Sequence, residues 1–198
     1  MPISRDRRPA LIVMVKAPRP GRVKTRLGRD LGMVPAAWWY RHQVRRLLRR
    51  LRDPRWRIVL AVAPDLDPLH LRTWPSDVVQ MPQGRGDLGA RMARALHAVR
   101  GAPALLIGSD IPGIDRAVIG EAFDRMRGHD GVIGPSEDGG YWCIGLGARR
   151  RLPPGAFAGV RWSTDHALDD TVRRLAPLAL ARARRLADVD RAEDLRRQ

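Results

Sequence analysis

Ala10-Leu11-Ile12-Val13-Met14-Val15 runs directly into Lys16-Ala17-Pro18-Arg19-Pro20-Gly21-Arg22-Val23-Lys24-Thr25-Arg26-Leu27, and this junction decides the fold class. A short, continuous apolar run rich in valine and isoleucine reads as a strand buried on both faces. Pro18, Pro20 and Gly21 forbid a regular helix immediately after it and shape a loop. Lys24, Thr25 and Arg26 then present cations and exposed amides at what reads as a helix start. Strand, loop and helix in that order open an α/β unit.

Working outward, further apolar runs recur at Arg57 to Val62, Val78 to Met81, Ala104 to Ile107, Gly131 to Ile133 and Trp142 to Leu146. Between most of them lie stretches with apolar residues at helical spacing. In Ala36 to Leu51 these are Ala37, Tyr40, Val44, Leu47, Leu48 and Leu51, with arginines on the other face. Leu88 to Val99, Arg116 to Met126 and Asp165 to Leu175 behave alike. Strands alternating with helices predict a three-layer α/β sandwich around a mostly parallel sheet, with its site beyond the carboxyl ends of the strands. At 198 residues and 44% hydrophobic, the chain suits one sizeable core and is short for two. The reading is a mobile basic tail over residues 1 to 9 and a single domain over 10 to 198.

The first apolar run ends at Lys16, too soon for a signal peptide's apolar core or a membrane span, so no membrane insertion is expected. The single cysteine, Cys143, has no intramolecular partner, which suits a reducing cytoplasm, and its apolar strand makes it a core residue rather than a nucleophile. The net charge of +16 invites nucleic acid. Yet 35 of the 37 basic residues are arginines spread over most helices, a compositional bias rather than a specific nucleic-acid interface. The two lysines, Lys16 and Lys24, share one short segment, where a compact point charge suits a phosphate; two residues are few enough for chance to place them so.

Five constellations carry possible chemistry. The loop from Lys16 to Leu27 fits a cradle for a di- or triphosphate, since amide dipoles and cations converge there. It fits a Pro-Gly turn with solvated cations equally well, and it lacks the GxxxxGK[ST] pattern. Leu105-Leu106-Ile107-Gly108-Ser109-Asp110-Ile111-Pro112 ends an apolar strand in a carboxylate, a placement suited to a hard divalent cation. Turn or cap roles are the alternative for Asp110, but Asp115 is the more natural cap for the next helix. Gly134-Pro135-Ser136-Glu137-Asp138-Gly139-Gly140-Tyr141-Trp142 reads as a tight hairpin whose glycines also admit a ligand. In Pro82-Gln83-Gly84-Arg85-Gly86-Asp87-Leu88-Gly89, Gln83 could read a base edge, with Gly86 and Gly89 allowing close approach; alone this is a weak signal. Asp188 and Asp190 could complete a metal site begun by Asp110, although Asp190 with Glu193 also reads as a capping box. Trp162-Ser163-Thr164 precedes a helix that Ser163 or Thr164 can cap.

KAPRPGRVKTRL, PQGRGDLGARM, LLIGSDIPGI, GPSEDGGYWCIGL, WST and DVDRAEDL, in that order, resemble the transferase family associated with radical-SAM and selenium-related gene clusters. That family looks like a branch of the nucleotide-diphospho-sugar transferases, and more distantly like 2-phospholactate guanylyltransferases and molybdenum-cofactor nucleotidyltransferases. The resemblance implies a glycosyltransferase-A-like (Rossmann-like) fold and a Mg2+- or Mn2+-dependent enzyme acting on a nucleotide donor and a small-molecule acceptor. By position it implies Lys16, Pro18, Gly21, Lys24, Arg26, Gln83, Gly86 and Gly89 as nucleotide contacts. Asp110, Asp188 and Asp190 would hold the metal, and Lys24, Arg26, Asp110 and Asp138 would act in catalysis. Glu137, Asp138, Gly139, Gly140, Tyr141, Trp162 and Ser163 would line the acceptor pocket. Arg191-Ala192 replaces the relatives' Thr-Pro, and Ser109-Asp110-Ile111 replaces the Asp-x-Asp of many glycosyltransferases. Two reactions remain open: glycosyl transfer from a nucleoside diphosphate sugar, and nucleotidyl transfer from a triphosphate with release of pyrophosphate.

Overall fold

The structure is a computed structural model and describes residues 7 to 65, 73 to 111 and 113 to 186. Its elements in chain order are β1 (Ala10–Lys16), α1 (Thr25–Leu31), α2 (Met33–Arg50), β2 (Arg57–Ala63), β3 (Val79–Pro82), α3 (Leu88–Ala98), β4 (Ala104–Ile107), α4 (Arg116–Met126), β5 (Gly131–Pro135), β6 (Tyr141–Leu146), α5 (Ala167–Arg174) and β7 (Leu180–Arg182). Seven strands form one sheet in the order β3-β2-β1-β4-β6-β5-β7. β2, β1 and β4 run parallel, as do β5 and β7, while β6 lies antiparallel between β4 and β5. This is the expected α/β sandwich with a mostly parallel sheet.

The alternation of β1 sorts its side chains to the two faces of the sheet. Leu11, Val13 and Val15 join the cluster that holds Tyr40, Val44 and Leu48 of α2 with Val118, Ile119 and Ala122 of α4. Ala10 and Ile12 join the cluster on the other face, with Met92, Ala95 and Leu96 of α3 and with Ala167 of α5. A strand covered on both sides has no polar face, so its sequence is a continuous apolar run. Each fully buried Leu or Ile contributes about 1.5–3 kcal/mol.

Several details depart from the sequence reading. α2 starts at Met33 rather than Ala36, because Pro35 falls in the first helical turn, where a missing N–H costs nothing. α5 is shorter than the periodicity from Asp165 to Leu175 predicts. β7, only three residues long, has alanine and arginine where an edge strand usually carries β-branched residues, so no strand is expected there from residue types. As expected, Asp115 caps α4, accepting from the Val118 N–H at 2.9 Å, and Asp87 likewise caps α3.

Candidate active site

β1 feeds β2 and β3 on one side of the sheet, and the chain then crosses back to place β4 on the other side. The gap between the carboxyl ends of β1 and β4 is therefore the topological switch point, where open α/β sheets bind ligands. A cavity of about 730 Å³ opens there. Because β6 runs antiparallel, it is the start of that strand, Tyr141, that arrives at the same end.

Lys16 at the tip of β1 and Gly108, Ser109 and Asp110 beyond β4 line the cavity, with Arg22, Lys24 and Thr25 from the intervening loop. Lys24 holds a left-handed backbone at φ 46° just before α1, which has no capping side chain. That turn aims the Lys24 ammonium at Asp110, 3.1 Å from its carboxylate, with the Trp39 ring 5.8 Å away. Tyr40 fixes the floor beneath them. Its hydroxyl accepts from the Lys16 backbone N–H at 3.0 Å and lies 3.2 Å from the Ser109 hydroxyl, tying the ends of β1 and β4 together. Burial pushes the Tyr40 phenol above its ordinary pKa, so it stays a neutral hydroxyl.

The opposite wall is the β5–β6 hairpin and the segment before α5. The Ser136 N–H donates to the Gly140 carbonyl at 3.0 Å, closing the expected tight turn. Asp138 Oδ1 accepts from the Ser136 hydroxyl and the Gly140 N–H, both at 2.8 Å, which orients the carboxylate. Gly139, at φ +82°, presses against the backbone of Asp165, leaving no room for a side chain. Tyr141 accepts from the Thr171 hydroxyl at 3.4 Å and packs edge-on against Trp162. Next to Trp162, Ser163 lines the cavity with a left-handed backbone at φ 60°. That turn is held by Asp170, which accepts from the Arg161 N–H at 3.1 Å and from the guanidinium groups of Arg161 and Arg173. The Arg161 guanidinium above all holds the Asp170 carboxyl well below the usual aspartate range.

The structure thus brings Lys16, Lys24, Gln83, Asp110, Asp138, Gly140, Tyr141, Trp162 and Ser163 to one cavity. It places other candidates outside its wall. Arg26 is exposed on α1, and Pro18 and Gly21 form the turn behind the cationic segment. The Gly86 carbonyl accepts from Arg91, and Gly89 owes its lack of a side chain to Phe157, which packs against it. Glu137 and Gly139 belong to the hairpin turn, away from the cavity surface. Gln83 lines the cavity, but its amide nitrogen donates to the Val15 and Ala61 carbonyls, at 3.0 and 2.8 Å. That amide therefore joins the ends of β1 and β2 and has no proton left for a base edge. Asp188 and Asp190 lie outside the described residues.

Tyr40, Ser109, Ser136 and Asp170 were not legible as site residues. Tyr40 occupies a core position of α2, and the only hint was that a buried phenol needs a hydrogen-bond partner. The described residues include no group of three or more His, Cys, Asp or Glu side chains able to hold a metal. Cys143 is buried, and burial pushes its thiol pKa up, in keeping with a core role.

A family model described as "Uncharacterized protein conserved in bacteria (DUF2064)" matches residues 47 to 164. The chain belongs to that family. The match takes in Gln83, Asp110, the hairpin and Ser163, and it begins after the cationic loop. No curated protein matches the sequence. Among solved structures, a protein of Desulfovibrio desulfuricans G20, provisionally described as a nucleotide-diphospho-sugar transferase, shares 31% identity at a TM-score of 0.79. The similarity covers 92% of this chain and 82% of that one. Glucosyl-3-phosphoglycerate synthase of Mycobacterium tuberculosis, in complex with Mn2+, UDP and its product, shares the fold at TM-score 0.57 and 12% identity, over 96% of this chain and 74% of that one. The synthetase of CMP-2-keto-3-deoxy-manno-octonic acid, complexed with CTP, also shares it, at TM-score 0.56 and 12% identity over 96% of both chains. The family's fold is therefore that of the glycosyltransferase-A and nucleotidyltransferase enzymes. Among the described residues, no helix is long and apolar enough to cross a membrane.

Proposed function

We propose that the chain is a metal-dependent transferase that passes a glycosyl group from a nucleoside diphosphate sugar to a small acceptor. The observation that carries the reading is the Lys24–Asp110 pair at the switch point, facing a second wall with an oriented carboxylate, Asp138. Lys16, Arg22 and Lys24 supply positive charge where a diphosphate would lie, and the Asp110 carboxylate is the hard oxygen ligand beside it. One described carboxylate fits a cation such as Mg2+, which keeps several waters and takes its other ligands from substrate phosphates. Asp110 would hold it, and when bound it supplies neutralisation of charge on the departing nucleoside diphosphate. Asp138, fixed by Ser136 and Gly140, would take the proton of an acceptor hydroxyl. Tyr141, Trp162 and Ser163 would shape the acceptor's side of the cavity. The Desulfovibrio relative's description favours the same donor class.

A second reading, nucleotidyl transfer from a triphosphate, has its own support. Two cations of one loop, Arg22 and Lys24, reach the cavity together, as a departing pyrophosphate would require. Incubation of the purified protein with Mg2+ or Mn2+ and panels of nucleotide sugars and triphosphates separates the two. Release of nucleoside diphosphate from a sugar donor supports the first reading, and release of pyrophosphate from a triphosphate replaces it with the second. Neither product from any donor overturns both.

A further inference from the structure

Positive charge and exposed apolar side chains coincide in one segment of the chain, the loop after β1 with α1 and α2. Residues 16 to 50 contain eleven basic side chains and one acid, Asp30; eleven less one gives +10 of the chain's net +16. Six large hydrophobic side chains are exposed among the described residues, and four of them, Leu31, Met33, Val34 and Trp38, fall within eight positions of this same segment. Trp38 is 60% exposed and stacks on His42, one turn along α2, at 5.4 Å. The outer face of α2 thus begins apolar at Val34 and Trp38 and continues basic through Arg46, Arg49 and Arg50. α1 contributes exposed Arg26 and Arg29 beside Leu31.

We infer that the outer surface of α1 and α2 is a docking surface for an anionic lipid bilayer, with Leu31, Met33, Val34 and Trp38 entering the interface between headgroups and acyl chains and the arginines on the headgroups. Two other occupants fit less well. A second copy of the chain would bring two strongly positive surfaces face to face, and like charges oppose that contact. A nucleic acid would satisfy the arginines but offers no apolar partner to the aliphatic Leu31, Met33 and Val34. An anionic bilayer answers both features at once, since hydrocarbon accepts the apolar side chains, Trp favours the interface, and each basic residue near the surface adds attraction.

The geometry ties this surface to the cavity. α2 starts at the carboxyl end of β1, the end of the sheet where the cavity opens, and Tyr40 on its inner face forms part of the cavity wall. Docking would bring the rim of the cavity to the bilayer. On the transferase reading above, the acceptor would then be carried by, or delivered at, a membrane; the docking itself does not depend on that reading.

The test is co-sedimentation of the full chain with vesicles of phosphatidylcholine alone and of phosphatidylcholine with phosphatidylglycerol, alongside duplex DNA binding and analytical ultracentrifugation. The inference expects binding to the anionic vesicles, at least tenfold weaker to neutral ones, and weakened by raised salt. The combined variant Leu31→Ser, Val34→Ser, Trp38→Ser should keep its thermal midpoint and lose about tenfold or more in vesicle affinity. No binding to anionic vesicles overturns the inference, and so does undiminished binding by a folded triple variant, which would reduce the surface to charge alone. A dimer that the triple variant abolishes, or duplex DNA bound more tightly than vesicles, assigns the surface to another occupant and overturns it as well. If the variant fails to fold, Trp38→Ser alone, compared at equal thermal midpoint, decides the same question.

Discussion

The two walls of the cavity are built on opposite principles. On the β1–β4 side, Lys24 and Asp110 face one another with side chains 28% and 51% exposed. An ion pair so open to water is worth about 0–1 kcal/mol, so both charges can exchange partners cheaply. On the hairpin side, Asp138 and Asp170 are engaged by backbone amides, a hydroxyl and guanidinium groups that fix loop geometry. One wall keeps its charges available for a ligand; the other uses Asp170 to hold shape and keeps Asp138 in a fixed orientation. A phosphate-bearing donor needs the first kind of surface, and discrimination among acceptors needs the second.

Substitutions should split along the same line. Asp110→Asn should have the largest effect, a loss of about 10²–10³-fold in turnover with metal-dependent nucleotide binding abolished. Calorimetric titration with Mn2+ and nucleotide, beside a thermal melt that barely moves, checks this. Unchanged nucleotide binding would break the assignment of the β1–β4 wall. Lys24→Met comes next, with nucleotide affinity reduced about 10–100-fold by loss of one charge-assisted contact, again at nearly constant stability.

Asp170→Asn should act in the other direction, on stability more than on nucleotide affinity, because it strips Arg161 and the Ser163 turn of their anchor. Its pH dependence has a definite sign. A folded carboxyl held below its ordinary value of 3.8 stabilises fully above that pH, and the contribution is lost as pH falls from there toward the folded value. Thermal midpoints of the wild type should therefore drop below about pH 4 more steeply than those of Asp170→Asn. Equal acid slopes would show that the pair does not hold the wall. Tyr40→Phe should be the smallest change, about 1 kcal/mol by denaturant unfolding, as the Lys16 N–H loses its acceptor.

What was readable in advance follows from how local each cause is. β1, β2 and β4 were legible because burial on both faces leaves an unbroken apolar run, and Asp87 and Asp115 announce helix starts through hydrogen bonds only three residues long. β7 was illegible because its pairing with β5 supplies what its alanines and arginines do not. Asp110 stood out at a strand tip with no local task. The bonds Gln83 makes were illegible for the opposite reason: its partners, the Val15 and Ala61 carbonyls, lie 68 and 22 residues away, and nothing nearby in the chain hints at them.

By itself, then, the sequence determined the alternating architecture, the end of the sheet where the cavity opens, and the short cationic loop and strand-tip aspartate that lie at that end. These depend on hydrophobic period, turn chemistry and the rule that parallel strands point their ends the same way. Only the tertiary structure decided that β6 reverses to deliver Tyr141, that Tyr40 joins Lys16 to Ser109, that Arg26 turns away while Arg22 turns in, and that Asp170 anchors Ser163. Tyr40 reaches Lys16 and Ser109 across 24 and 69 residues, and Asp170 reaches Arg161 across nine, spans set by packing and left-handed backbone turns that no local pattern encodes.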